Sequence, residues 1–233
     1  MGNHGFMGFW SDIDPDYRLR YQEWHNCEHM PERVGIPGFV EGRRYRGGPG
    51  SPTFFMCYIT SEPEVLSSPA YLAALNCPTP WTQEALTQFR NPERSLYRRL
   101  CSFGSTAAHA PYIVLVRFND TRPGSEIASV LDAWMQGTGA PDQRAALYDM
   151  DTAASRIMTA ERRIYSAGPG ERQYLIGVEL LDRPASERAA ESLKELLSPD
   201  ARDMDASIYW LEMRIKAQDV RRSTPIEQLE ETP

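Results

Sequence analysis

The same order of strand-like, turn and helix-like segments occurs twice in this chain, and that internal repeat constrains its fold most. Each half opens with a strand-like segment, at residues 5–13 and 111–119. Each then has room for a helix, at residues 16–33 and 124–137, with a further helical piece predicted at 143–148. Repetition on this scale indicates two copies of one supersecondary unit.

A hairpin and a second helix are predicted to complete each half. The turn residues 47–50 lie between two strand-like runs, and residues 168–170 follow the similar run 161–166. Glycine and proline between β-favouring runs are typical of hairpins. The second helices and the closing strands are predicted at residues 64–75, 185–197, 95–97 and 207–209.

The resulting order, β-α-β-β-α-β, is that of the ferredoxin-like unit, an antiparallel sheet with helices on one face. The bare face of each sheet must be covered, and the other half can cover it. The predicted fold class is therefore α+β, with two tandem ferredoxin-like units whose antiparallel sheets pack into an α/β barrel. The first unit spans residues 1–104, the second, degenerate unit spans 111–217, and residues 218–233 form a polar tail.

Charge and composition limit the classes of partner that the chain can bind. The formal net charge of -7 argues against nucleic acid, whose phosphates require concentrated Lys and Arg. No apolar stretch approaches the ~18 residues of a membrane span, and the start of the chain does not resemble a signal peptide. The 4 cysteines are widely spaced and are interpreted as reduced thiols. We therefore expect a cytoplasmic protein with a small-molecule substrate and with neither nucleic acid nor a membrane as partner.

The segment 24–33 carries two of the 4 histidines together with two glutamates. At about 100° per residue, Trp24 and Glu28 fall on the sheet-facing side of the predicted helix. His25 and His29 then line the rim of that side. A carboxylate under aromatic rings must be paired or have its pKa raised, and either state suits proton transfer near neutral pH.

The matching helix of the second half gives a comparison within the chain. Residues 125–135 keep an apolar stripe and Trp134 but contain no histidine. Packing a helix on a sheet does not require the histidine cluster, since the second half lacks it. We infer that the first half carries the site.

The predicted activity is acid-base chemistry of the lyase, isomerase or cyclase type on a small aromatic or carbonyl-bearing metabolite, without a cofactor. His29 is the predicted principal acid or base, His25 assists it, and Glu28 sets the tautomer and charge of the histidine. Substrate-binding side chains are predicted on the same helix, on the hairpin and in a later loop: Arg44, Tyr45, Tyr58, Trp24 and Trp81.

Two alternatives stay open at this stage. His25 and His29 are four residues apart and match a short H-x-x-E-H pattern, so one divalent metal ion, zinc, iron or manganese, could be bound. Its ligands would be His25, His29, Glu28 and Glu32. The second alternative is a cofactor-free monooxygenase or a non-catalytic binding module.

The motif Trp-x-x-x-Glu-His-x-Pro-Glu-Arg at residues 24–33 resembles the dimeric α/β-barrel superfamily, with EthD-like members the most similar. Residues 36–39, 43–45 and 67–71 add to the likeness. The resemblance implies the barrel fold and a small-molecule pocket near Glu28. Whether the barrel closes within one chain or a homodimer forms stays open.

Overall fold

Eight antiparallel strands close into a barrel in the computed structural model, which describes residues 3–104, 110–138 and 143–222. The strands are β1 Gly5–Ile13, β2 Phe39–Gly47, β3 Phe54–Thr60, β4 Phe89–Gly104, β5 Tyr112–Asn119, β6 Arg144–Met150, β7 Tyr174–Leu180 and β8 Arg202–Lys216. Their order around the barrel is β1-β3-β2-β8-β5-β7-β6-β4.

This order contains the ferredoxin-like sheet twice. Strands β4-β1-β3-β2 form the first sheet and β8-β5-β7-β6 the second, and the seams are the β2–β8 and β4–β6 pairs. The predicted fold class is confirmed, and the barrel closes within a single chain. The division into units at 1–104 and 111–217 stays a prediction.

The helices lie outside the barrel. They are α1 Arg18–Trp24, α2 Met30–Gly35, α3 Pro69–Asn76, α4 Pro80–Leu86, α5 Gly124–Thr138, α6 Thr152–Ser155, α7 Ala160–Tyr165, α8 Arg183–Leu197 and α9 Ala217–Arg222. The first begins after a short 3-10 turn, where the Asp14 carboxylate accepts from the Asp16 backbone N–H, as expected for an N-cap. None of the helices in the described ranges is long and apolar enough to cross a membrane.

Strand alternation divides the buried side chains between the barrel interior and two outer cores. The interior is filled by aromatic rings from both halves, including Trp10, Phe55, Tyr45 and Tyr209. One outer core lies under the helices of the first half and the other under those of the second. Side chains that face the first outer core, such as Tyr58, are therefore the ones that can form the predicted site.

Two predictions in the second half are wrong. Residues 143–148, expected to be helical, belong to strand β6, which pairs with β4 and β7. The run 161–166, expected to be a strand, forms α7, and the Thr159 hydroxyl caps this helix by accepting from the Arg162 N–H. Helices α6 and α7 are thus an insertion between β6 and β7. The insertion reaches the first half, where the Ser155 hydroxyl accepts from the Leu96 N–H at 2.8 Å.

The end of the predicted polar tail, residues 223–233, lies outside the described residues, as does His109.

Candidate functional site

The histidine cluster lies in a π-helical turn. Residues His25–His29 have π geometry between α1 and α2, and the Met30 N–H donates to the carbonyl of His25, five residues earlier. Proline has no N–H, and its ring clashes with the carbonyl four residues before it. A widened turn before Pro31 avoids that clash, so the helix continues to Gly35 although Pro31 was predicted to end or kink it. Such turns are common at functional sites.

The widened turn changes which side chains face the sheet. His25 is completely buried, whereas Glu28, predicted to point inward, is partly exposed. The Glu28 carboxylate accepts from the hydroxyls of Thr79 and Thr82, at 2.5 and 3.1 Å. Both of its hydrogen bonds therefore go to threonines of the α4 segment, and it does not orient either histidine.

A narrow, partly open cavity lies between the first sheet and its helices. Its volume is about 30 Å³, which is room for about two water molecules. The wall is mostly aromatic: Phe9, Trp24, Tyr58, Tyr71, Phe89 and Tyr165. His25, His29, Arg33, Arg94 and Glu161 add the ionisable groups.

His25 presents a hydrogen-bond donor to this cavity. Its Nδ1 lies 3.2 Å from Nη1 of Arg44, and because a guanidinium can only donate, Nδ1 must accept. The proton of the neutral ring is therefore on Nε2, which is buried and has no partner among the described residues. Burial, together with the Arg44 charge, holds the pKa of His25 well below its usual value, so the ring is neutral at pH 7.

His29 is the second neutral imidazole. Its ring lies 5.8 Å from that of His25 and 4.4 Å from that of Trp24, measured between centroids. Burial lowers the pKa of His29 well below its usual value, and the charge of Arg33 acts in the same direction. Its Nδ1 is buried without a hydrogen-bond partner in the described structure. The ring is thus free to exchange a proton with a molecule in the cavity.

The second half contributes one wall of the cavity through α7. Glu161 forms a buried ion pair and hydrogen bond with Arg33 of α2, and Tyr165 lines the cavity beside it. Burial raises the pKa of Glu161 to about 7, against the opposing effect of Arg33. The insertion therefore bounds the first-half cavity with a charged contact.

The remaining predicted site residues divide by strand face. Trp24 and Tyr58 line the cavity, but Tyr45 points into the barrel and accepts from Arg43 at 3.1 Å. Arg44 is occupied by His25, Asn26 and Glu212. Trp81 packs at the rim under the Arg20 guanidinium.

The four alternative metal ligands do not converge. Glu28 is bound by the two threonines, and Glu32 pairs with Arg33 at 3.3 Å. No group of three or more His, Cys, Asp or Glu side chains that could hold a metal ion occurs in the part of the chain that the structure describes.

Replacing Thr82 with Val should lower the free energy of unfolding by about 1–3 kcal/mol. The Thr82 hydroxyl accepts from Nε1 of Trp24 at 3.1 Å and donates to Glu28, so valine leaves a buried N–H unpaired. Urea denaturation measures the change. Thr87→Val, on an exposed residue at the end of the same helix, is the matched control and should change stability by less than about 0.5 kcal/mol. Equal effects of the two variants would contradict the assignment.

Arg94, Glu161, Tyr71 and Tyr165 were not predicted as site residues. Arg94 lies two residues before Leu96 on β4 and so on the strand face that packs against the first outer core, and that alternation could have indicated it. Glu161 and Tyr165 could not be found in this way, because their segment was interpreted as a strand of the other half.

The fold is shared with solved structures, although no family profile and no curated protein sequence matches the chain. A candidate monooxygenase from Fusobacterium nucleatum is 10% identical, with a TM-score of 0.58 over 92% of this chain and 95% of that one. An anthrone oxidase-like protein is 13% identical, with a TM-score of 0.62 over 93% and 94%. A haem-binding protein from Thermus thermophilus is 8% identical, with a TM-score of 0.52 over 95% of both chains. The chain therefore has the ferredoxin-like α+β barrel fold of these proteins.

These similarities correct two predictions. Lyase, isomerase or cyclase chemistry is wrong as the leading interpretation, because the similar structures carry oxidative or haem-binding descriptions. The expectation that the site works without a cofactor is wrong, because one of the similar structures is of a haem-binding protein.

Haem does not fit the first-half cavity in the arrangement described. A neutral imidazole with an unprotonated free nitrogen is a suitable axial ligand. Nε2 of His25 carries the ring proton, so of the two histidines only His29 could offer such a nitrogen, its Nδ1. The space between the walls is about 30 Å³, far below the ~300–1,000 Å³ of ligand pockets. The second half has no histidine after residue 109, and aliphatic side chains fill its outer core.

Proposed function

We propose that this chain is an oxidoreductase that oxidises a small aromatic molecule with an acidic C–H group, with molecular oxygen as the oxidant. The observation that carries the proposal is that several buried polar atoms on one cavity have no hydrogen-bond partner within the described residues. They include Nε2 of His25, Nδ1 of His29, the hydroxyl of Tyr58 and Nε of Arg33. Each unpaired buried group costs about 1–3 kcal/mol, so a cluster of them indicates a bound partner.

The two histidines have different roles in this proposal. His29, which its surroundings keep unprotonated, accepts the proton from the substrate carbon. His25 donates its Nε2–H to the oxygen on which negative charge then develops. Arg44 holds His25 in the required tautomer and is a positioning residue. The apolar side chains of the cavity wall lower the local dielectric constant and so strengthen both interactions.

The overall reaction balances without a further reductant. A substrate CH₂ group becomes C=O, one oxygen atom of O₂ stays in the product, and the other leaves as water with the two hydrogens. The electrons pass from the deprotonated substrate to oxygen. The chain's own residues take up the first proton, stabilise the anion and exclude bulk water.

Substrate entry requires the cavity to widen. An aromatic substrate is larger than about 30 Å³, so one wall must move. The wall formed by α7 belongs to a short insertion and is tied to α2 through Glu161 and Arg33.

Oxygen consumption with anthrone and with ring-substituted anthrones as probes tests the proposal, because each has the CH₂ group that the proposed reaction converts to C=O. Wild-type protein should consume O₂ and convert anthrone to the quinone one to one. His29→Gln should lower the rate by about 100-fold or more, the usual contribution of a general base. His4→Gln is the matched control, since His4 contacts the carbonyl of Thr60 outside the cavity. No oxygen uptake with any probe, or equal rates in the His25→Gln, His29→Gln and His4→Gln variants, would overturn it.

Three further properties stay predictions. They are membership among the EthD-like proteins, a cytoplasmic location and assembly as a homodimer. The small-molecule substrate follows from the same cavity.

A further inference from the structure

Arg94 is a buried cation that forms no ion pair within the described residues, although the charge of Glu161 acts on it from farther away. Five arginines are buried in the described residues, and four of them form ion pairs: Arg33 with Glu161, Arg43 with Glu41, Arg44 with Glu212 and Arg117 with Asp205. The Arg94 guanidinium, on β4, makes one hydrogen bond in the described structure, donated to the Tyr71 hydroxyl at 3.1 Å. Its side chain lines the cavity and is only 9% exposed.

The neighbouring carboxylates are already used. Glu161, the carboxylate that lines the cavity and acts on Arg94, forms its ion pair with Arg33, and so does Glu32. A charge removed from water without a partner is costly, and proteins rarely retain one without a reason. At each of the other four buried arginines the described structure supplies a carboxylate for the guanidinium.

Tyr71 adds a second donor at the same place. Its hydroxyl oxygen accepts from Arg94, so its own proton remains free to donate. A guanidinium and a phenol O–H side by side can bind a planar anion through several charge-assisted hydrogen bonds. Both groups line the cavity whose other ionisable groups include the two neutral histidines.

We propose that the substrate is an aromatic carboxylate, whose acid group binds to Arg94 and Tyr71 while its ring extends toward His25 and His29. That the bound anion is a substrate rests on the proposed oxidation. The anion site itself rests on the geometry of Arg94 and Tyr71. Arg94 and Tyr71 thus determine specificity, and Arg94 supplies the positive charge that selects acids over neutral analogues.

Binding under anaerobic conditions tests the inference apart from turnover. The probes are 2,5-dihydroxybenzoate and its neutral amide, and calorimetry measures both dissociation constants. Wild-type protein should bind the acid about 10- to 100-fold more tightly, as expected for charge-assisted hydrogen bonds. Arg94→Gln should abolish that preference, Arg94→Lys should keep part of it, and Tyr71→Phe should reduce it by a smaller factor.

Arg98→Gln is the matched control, because Arg98 lies on the same strand but is exposed. Equal binding of acid and amide to wild-type protein, or a preference that survives in Arg94→Gln, would overturn the anion site while leaving the oxidation test untouched. A preference that depends on Arg94 in a protein that consumes no oxygen would support the anion site and refute the oxidation. If Arg94→Gln fails to fold, the ratio of the dissociation constants of the amide and the acid is measured for Arg94→Lys and Tyr71→Phe instead. An unchanged ratio in both variants would overturn the anion site.

Discussion

Replacing Phe55 with Ala is expected to lower the free energy of unfolding by about 3–5 kcal/mol, the usual cost of removing a buried aromatic ring. Phe55 is completely buried at the centre of the barrel. Its ring lies 5.0 Å from Trp10, 5.5 Å from Tyr45 and 5.4 Å from Tyr209, measured between centroids. Since Tyr209 belongs to the second half, the variant weakens the packing between the two sheets as well as the packing within the first sheet.

The shape of the transition carries as much information as its midpoint. Because the interior cluster and the β2–β8 and β4–β6 seams join the halves, we expect one cooperative transition in both wild-type protein and variant. Calorimetry and circular dichroism measure it. Leu181→Ala, at a side chain 53% exposed, is the control and should change stability by less than about 0.5 kcal/mol. Two separate transitions would show instead that the halves unfold as independent domains.

Much of the barrel could be predicted because its pattern is local and repeated. The first strand of the chain and the first helix of the second half were predicted almost to the residue, at Gly5–Ile13 and Gly124–Thr138. Each has a clear period and clear turn residues at its ends. The closure of two such units on each other follows from the bare faces of their sheets.

Strand β6 shows where local pattern fails. Its residues Arg-Ala-Ala-Leu favour a helix in isolation, yet Leu147 pairs with Cys101 on one side and Ile176 on the other. Pairing with two neighbouring strands outweighs the weak helical preference. The opposite error was made at α7, which was predicted as a strand because its Arg-Arg-Ile-Tyr run resembles the Arg-Arg-Tyr run of β2.

The sequence indicated two histidines that the structure places on one cavity, but it did not indicate how the side chains of their helix face. The phase assigned to Glu28 assumed a regular α-helix, and the π turn before Pro31 places His25 inward instead. The contact of Glu161 with Arg33 joins residues 128 positions apart. Neither the widened turn nor that long-range pair leaves a signal in the spacing of apolar residues.

The two histidines should make the protein less stable in acid. In the unfolded chain a histidine takes up a proton below about pH 6.5. Burial holds the pKa of His25 and of His29 well below that value in the folded protein, so only the unfolded state gains the proton. The free energy of unfolding should therefore fall by about 1.4 kcal/mol per pH unit for each histidine as the pH decreases from about 6.5.

A difference between variants isolates this effect from all other titrating groups. Over the interval from pH 6.5 to pH 5, the stability advantage of wild-type protein over His25→Gln should shrink by about 2 kcal/mol. Glu161→Gln supplies a control of opposite sign. Burial raises the pKa of Glu161 from 4.5 to about 7, so between these values the folded state holds the extra proton and wild-type protein gains stability relative to this variant as the pH falls. Urea denaturation at intervals of half a pH unit measures both slopes. Parallel curves for wild-type protein and His25→Gln would show that His25 titrates normally in the folded protein, and the neutral donor assigned to it would then be wrong.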